Sequence, residues 1–270
     1  MNHIISTYEN SSEEIRLFKR KSRQIEFITS IRVMKEHFPK SGKILDCAAG
    51  AGAYAFYFDQ LQYNVTALDI TPRHVELMKK YKEQFGSNIV VGLNDAVDLS
   101  CYADECFDIV LCMGPLYHLT AKESRIKCLK ECCRVLKPKG LLVTSYKNKY
   151  SVFPYLAVRN RYFLNKEFAL KILQTGTIES NDRFCFWTDM YYSFPHEMEE
   201  LYRGLHLKIK DHISPDGVTP FLREVDDFTD EEFNEWCNYH YLVCREKSIL
   251  GAGKHGLIFG EKRSVSHKTK

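Results

Sequence analysis

The stretch Asp46-Cys47-Ala48-Ala49-Gly50-Ala51-Gly52 sets an acid at the end of an apolar run and small residues directly after it. Small side chains let a ligand approach the backbone, and glycine permits a tight turn. A helix expected over residues 53–62 would aim its first N–H groups at the same spot, which suits an anionic group. Gly50-x-Gly52-x-x-Ala55 also fits a loose dinucleotide fingerprint. Asp69 lies 17 residues past Gly52 (69 − 52), at the end of a second apolar run. An acid there hydrogen-bonds ribose hydroxyls in nucleoside-binding sheets; the plainer alternative is a solvated strand end. Asn94-Asp95-Ala96 ends a third run, where the acid either accepts from an adenine amino group or closes an Asx-turn. A fourth run leads into Met113-Gly114-Pro115-Leu116-Tyr117-His118-Leu119. His118 is the candidate general base, because imidazole titrates near neutral pH; a histidine in an apolar loop is more often structural. Tyr117 and Tyr146 are expected beside it in the pocket. His240 and His255 are weaker candidates, and Glu224 either faces the pocket or pairs with Arg223.

The elements that must position these residues follow from pattern and punctuation. Ser11 and Glu14 have capping-box spacing and predict a helix to about His37, stopped by Pro39 and Gly42. Strands are expected at 43–48, 65–70, 89–93, 107–112 and 141–146. Thr71-Pro72 starts a helix to about Phe85. Thr120 and Glu123 predict a second capping box, and Lys137-Pro138-Lys139-Gly140 ends that helix. Strands alternating with helices of this length imply right-handed βαβ units and a parallel sheet. Beyond Tyr146 the pattern becomes aromatic and irregular over 148–192. A helix at 193–204 and strands at 205–213 and 256–260 complete the plan, with a second interruption at 216–252 led by a Thr229/Glu232 capping box.

The chain has 270 residues, with 38 Lys+Arg against 35 Asp+Glu. That balance argues against a dedicated polyanion binder, so no nucleic acid is expected as a partner. No apolar run reaches the length of a membrane span, and the first residues lack a leader pattern. Ten irregularly spaced cysteines then predict reduced thiols and a cytoplasmic location. Cys128 and Cys132 sit one helical turn apart, but no pair with ligand spacing accompanies them, so no metal is expected.

Taken together, Leu45-Asp46-x-Ala48-x-Gly50-x-Gly52, Ala67-Leu68-Asp69, Asn94-Asp95-Ala96, Phe107-Asp108-Ile109-Val110 and Leu136-Lys137-Pro138-Lys139-Gly140, in that order and spacing, resemble the class I S-adenosylmethionine-dependent methyltransferases. The likeness is detailed over about residues 40–146, and Gly114–Leu119 looks like a stretch found in bacterial small-molecule members. Ala48 departs from the usual glycine. The resemblance implies a doubly wound, Rossmann-like α/β fold: a mostly parallel seven-stranded sheet with helices on both faces and an inserted aromatic and helical cap. It implies S-adenosylmethionine as cofactor, with Asp46 near its amino group and Ala48, Gly50 and Gly52 shaping the loop. It further implies Asp69 on the ribose, Ile70, Asp95 and Ala96 against the adenine, and Met113 along the methionine part. Tyr8 could reach the cofactor from the N-terminal helix. Residues 1–40 are then a helical segment over the site, 41–147 and 193–262 the core, 148–192 and 216–252 the cap that recognises the acceptor, and 263–270 a flexible tail. The expected reaction is in-line methyl transfer to a small molecule by a monomer or homodimer. Two rival readings stand beside it. A nicotinamide-dependent oxidoreductase would need a second half-sheet, and a noncatalytic nucleoside sensor would keep the fold without turnover.

Overall fold

The computed structural model describes residues 2–11 and 16–264. In chain order, α1 (Asn2–Glu9) and α2 (Lys21–His37) precede β1 (Lys43–Asp46), α3 (Ala53–Gln60), β2 (Asn64–Asp69), α4 (Pro72–Phe85), β3 (Val90–Leu93) and β4 (Phe107–Cys112). Then come α5 (Lys122–Val135), β5 (Leu136–Asn148), α6 (Lys149–Ala157), α7 (Lys166–Thr175), β6 (Thr177–Ile178) and β7 (Met190–Ser193). The chain continues through α8 (Pro195–Gly204), β8 (Leu207–Ile213), α9 (Asp230–Val243) and α10 (Lys247–Leu250) to β9 (His255–Lys262).

Parallel pairing runs β3-β2-β1-β4-β5, and β9 lies antiparallel to both β5 and β8. This is the expected seven-stranded, doubly wound core, and its order reverses between β1 and β4. Ligands bind beyond the strand ends at such a reversal, which is where β1, β2 and β4 deliver Asp46, Asp69 and Met113. The strands are apolar on both faces because helices cover both. Ile44, Ile109, Leu111, Val143 and Phe259 pack with α2, α3 and α4, whereas Leu45, Val110, Cys112, Leu142 and Ile258 pack with α5 and α8.

Four expectations are corrected. The first helices are α1 and α2, with Arg16–Arg20 between them in turns and bends, so the helix expected from Ser11 starts at Lys21. The Glu14 end of the proposed capping box lies outside the described residues, as does the tail from 265. Thr120 does not cap α5; Arg125 holds that entry by donating from Nη1 to the Leu119 and Thr120 carbonyls, each at 2.7 Å. β5 starts at Leu136. Leu136 pairs with Phe107 and Leu141 with Ile109, so the residues between bulge, with Lys139 at φ 64°. Finally, the stretch 148–192 is not wholly irregular. β7 extends the sheet beside the tip of β5 (Lys147 opposite Tyr192), and a hairpin joins it to β6.

The Thr229/Glu232 capping box forms as expected, with Thr229 Oγ1 accepting from Glu232 N at 3.2 Å and Glu232 Oε2 from Thr229 N at 2.7 Å. Among the described residues no helix is long and apolar enough to cross a membrane.

Candidate active site

A cleft of about 700 Å³ lies over the ends of β1, β2 and β4. Asp46, Ala48, Gly50, Asp69, Ile70, Asp95, Ala96 and Met113 all line it, together with Tyr8, Tyr117 and His118. Gly50 stands at φ +57° with open space where a Cβ would sit. The backbone is therefore bare at this point of the cleft.

Asp46 is buried, and neither of its carboxylate oxygens has a hydrogen-bond partner among the described residues. Burial, reinforced by Cys47 and the charge of Asp69, pushes its pKa well above the usual carboxylate range. The buried Tyr54 hydroxyl beside the cleft also lacks a partner among the described residues. Unmade hydrogen bonds of this kind are costly in a folded interior. Two of them on one cleft wall fit a ligand that brings a cationic donor.

Asp69 is differently placed. One oxygen accepts from Gly50 N at 2.8 Å, and the other from Thr71 N at 2.9 Å and His74 Nδ1 at 3.1 Å. Burial pushes its pKa up, but His74 and the two backbone N–H groups together hold it below the ordinary value. Asp69 therefore braces the glycine loop and the entry to α4 in addition to facing the cleft. Asp95 makes the Asx-turn, accepting from Val97 N at 3.0 Å through one oxygen, and lines the cleft as well.

His118 accepts at Nε2 from the Tyr8 hydroxyl at 2.8 Å, and its Nδ1 is 3.0 Å from the Asp189 carbonyl. A carbonyl only accepts, so the proton sits on Nδ1 and Nε2 is the accepting nitrogen. Burial lowers the His118 pKa to about 4, so the ring is neutral at pH 7. Tyr8 packs edge-on against His74, His118 and Trp187, which holds α1 over the cleft.

Other candidates lie elsewhere. Gly52, at φ +90°, is not among the residues lining the cleft; a Cβ there would meet Phe56 at 2.7 Å and Met78 at 3.2 Å, so it is a packing glycine between α3 and α4. Tyr146 faces the α5/α8 layer, bonded to His212 Nε2 at 2.9 Å, and does not reach the cleft. His240 is buried against the Ser214 carbonyl, and Glu224 is exposed. His255 belongs to a neighbouring network: Nδ1 donates to Asp216 at 2.7 Å, Glu26 lies 3.3 Å away, and Lys147 donates to Nε2. Glu26 is also held by Arg16 at 2.7 Å.

Arg16 and Glu26 border a second cavity of about 490 Å³, lined by residues from both interruptions of the core pattern. The aromatic stretch splits accordingly. Phe163, Phe168 and Phe184 form a core of their own, while Tyr155, Phe186, Trp187 and Tyr192 face this cavity. Sequence reasoning missed Arg16, Glu26, His74 and Trp187. Only His74 carried a usable signal, since it sits in the first turn of the helix after Asp69. The sequence also gave Cys128 and Cys132 no companions, yet the fold brings the Cys47, Cys112 and Cys132 sulfurs within 4.8 Å of one another. All are buried in the apolar layer beneath α5.

Residues 45–144 match the protein family described as "Methyltransferase domain". A ubiquinone biosynthesis O-methyltransferase of Actinobacillus pleuropneumoniae serotype 7 (strain AP76) is 28% identical over 142 residues, 51% of this chain and 57% of that protein. The chain thus spans little more than half the length of that relative. Among solved structures, a SAM-dependent methyltransferase from Methanosarcina mazei superposes with a TM-score of 0.60 at 17% identity, covering 86% of this chain and 97% of the other. A 1,6-didemethyltoxoflavin-N1-methyltransferase from Burkholderia thailandensis, bound to 1,6-didemethyltoxoflavin and S-adenosylhomocysteine, gives 0.58 at 17% identity, covering 97% and 87%. At such identities the likeness establishes the fold, which is the doubly wound Rossmann-like one.

Proposed function

We propose that this chain, whose residues 45–144 match the methyltransferase-domain family, transfers a methyl group from S-adenosylmethionine to a small-molecule acceptor. The observation that carries it is the buried, unpartnered Asp46 carboxylate on the cleft wall. When bound, S-adenosylmethionine supplies a methyl group already activated on a sulfonium. The residues present fit that group. Asp46 would take its ammonium, Gly50 and Ala48 its close approach, Asp69 the ribose, and Ile70, Asp95 and Ala96 the adenine, with Met113 along the methionine chain. Among the described residues nicotinamide chemistry finds no counterpart to its second half-sheet, because the sheet continues from β5 to antiparallel β9 and then β8.

The protein's own part is to orient an acceptor, exclude water and receive a proton where the acceptor has one to lose. Tyr8, Tyr117 and Trp187 wall the space around His118. Nε2 of His118 is its single accepting nitrogen, so a proton from an acceptor hydroxyl would arrive there, directly or through the Tyr8 hydroxyl. With a pKa of about 4, His118 is a weak base. It suits a proton released as the new bond forms, not ionisation of an alcohol beforehand.

The test is a methyl-transfer screen with labelled S-adenosylmethionine against phenols, amines and thiols. On the acceptor that turns over, His118→Ala should lower kcat on the order of 100-fold with little change in cofactor affinity. A rise in KM alone would assign His118 to shaping the pocket. Absence of turnover on every acceptor class, with cofactor bound, would favour a sensor that keeps the fold without catalysis.

A further inference from the structure

The second cavity is lined by seven cationic side chains and three carboxylates. The carboxylates are already engaged: Glu26 by Arg16, Asp216 by His255, and Asp226 by the Ser22 N–H at 2.9 Å with Arg20 at 3.8 Å. Arg23, Arg159, Arg223 and Lys254 have no carboxylate partner among the described residues. Two of them are held in place. Arg159 donates to the Tyr155 carbonyl at 2.9 Å and the Pro220 carbonyl at 3.1 Å, and its guanidinium lies 3.7 Å from the Tyr155 ring centroid. The Lys254 ammonium lies 4.1 Å from the same centroid. Neither cation is neutralised by these contacts.

Cations gathered around one concavity repel each other and raise the local concentration of anions. A fixed guanidinium suits carboxylate or phosphate oxygens, and little order remains to be lost on binding. The lining is also aromatic, with Phe186, Trp187 and Tyr192. Trp187 joins the two cavities: its ring is 5.2 Å from that of Tyr8 and 6.0 Å from that of His118. Arg16 and Glu26 line both spaces.

We infer that the second cavity is an anion-selective acceptor site for a planar molecule bearing a carboxylate or phosphate. The anionic end sits between Arg159 and Lys254, the ring lies along Trp187, and the reacting end points to Tyr8 and His118. The inference rests on the reading that the first cleft holds the methyl donor.

The experiment is calorimetry on the full chain with four probes: S-adenosylhomocysteine, 4-hydroxybenzoate, phenyl phosphate and neutral p-cresol. The last three are titrated with and without saturating S-adenosylhomocysteine. One or both anionic probes should bind at least about tenfold more tightly than p-cresol, and whichever binds more tightly identifies the oxyanion. The double variant Arg159→Gln/Lys254→Gln should lose that advantage and still bind S-adenosylhomocysteine, which also reports that it is folded. Lys254→Arg should retain it. Anionic probes binding no better than p-cresol, or equally well to the double variant, would overturn the inference. If anionic probes bind as expected while S-adenosylhomocysteine does not, the anion site stands and the donor reading falls.

Discussion

Asp46 and Asp69 end adjacent strands and face one cleft, yet their surroundings oppose each other. Asp69 has three donors, and Asp46 has none among the described residues. Their variants should therefore separate. Asp46→Asn removes a buried carboxyl whose ionisation is disfavoured without ligand, so the melting temperature should hold or rise while affinity for S-adenosylhomocysteine falls about tenfold or more. Asp69→Ala strands the Gly50 and Thr71 N–H groups, each costing roughly 1–3 kcal/mol, so stability and affinity should fall together. Thermal melts alongside calorimetry check both; an Asp69→Ala protein as stable as the parent would remove its bracing role. The acids themselves were legible in the sequence, because they end apolar runs at characteristic spacing. Their difference was not, since it depends on N–H groups aimed from residues 50 and 71. Tyr8 was legible only as a reach from the N-terminal helix, and its bond to His118, 110 positions away, had no local signal.

The elements with strong period and clear punctuation, such as α4 after Thr71-Pro72, match their expected spans closely, and α9 starts at its expected capping box. The N-terminal helices do not, because Arg16–Arg20 break a stretch whose apolar spacing runs on across the break. Gly52 shows a subtler limit. A turn glycine looks the same in sequence whether it clears a ligand or a helix, and only the Cβ direction separates them. Gly52→Val would force φ +90° and a 2.7 Å contact with Phe56, costing roughly 2–6 kcal/mol in strain and overpacking. The variant should lose stability first, seen as a lower urea midpoint, and a normal midpoint would contradict the packing role. The layer beneath α5 makes a separate prediction. Cys47, Cys112, Cys128 and Cys132 are buried and Cys101 is exposed. Ellman's reagent should modify Cys101 quickly in the native protein, a phase lost in Cys101→Ser, and reach the four buried thiols only on unfolding. Fast native reaction of all ten thiols would show that this layer opens.

At the scale of the molecule, four histidines share one sign. Burial lowers the pKa of His118, His212, His240 and His255 in the folded chain. The unfolded chain then binds more protons as pH falls below 6.5, so their contribution is complete above that value and is lost on the way down; for His118 the loss ends near its folded value of about 4. Each can contribute a slope of up to about 1.4 kcal/mol per pH unit. Glu26 and Asp69, held low, add losses only below the ordinary carboxylate range, while Asp46, held high, has the opposite sign and offsets part of the histidine loss. Urea midpoints should thus decline from pH 7 to 5, less steeply in His118→Gln, and a flat profile would contradict buried neutral imidazoles. The sheet and its switch point were readable from alternation and glycine turns. The second cavity was not, because Arg23, Arg159 and Lys254 converge from α2, the end of α6 and the entry to β9, and no short motif spans them. The part both cavities play in methyl transfer depends on what fills the first. The most direct measurement is calorimetric titration of the wild-type chain and Asp46→Asn with S-adenosylhomocysteine and with NAD. The chain should bind one S-adenosylhomocysteine, at least about tenfold more weakly in the folded variant, and no NAD. Saturable NAD binding without S-adenosylhomocysteine binding, or an affinity unchanged in Asp46→Asn, would contradict the methyl-donor reading of the cleft.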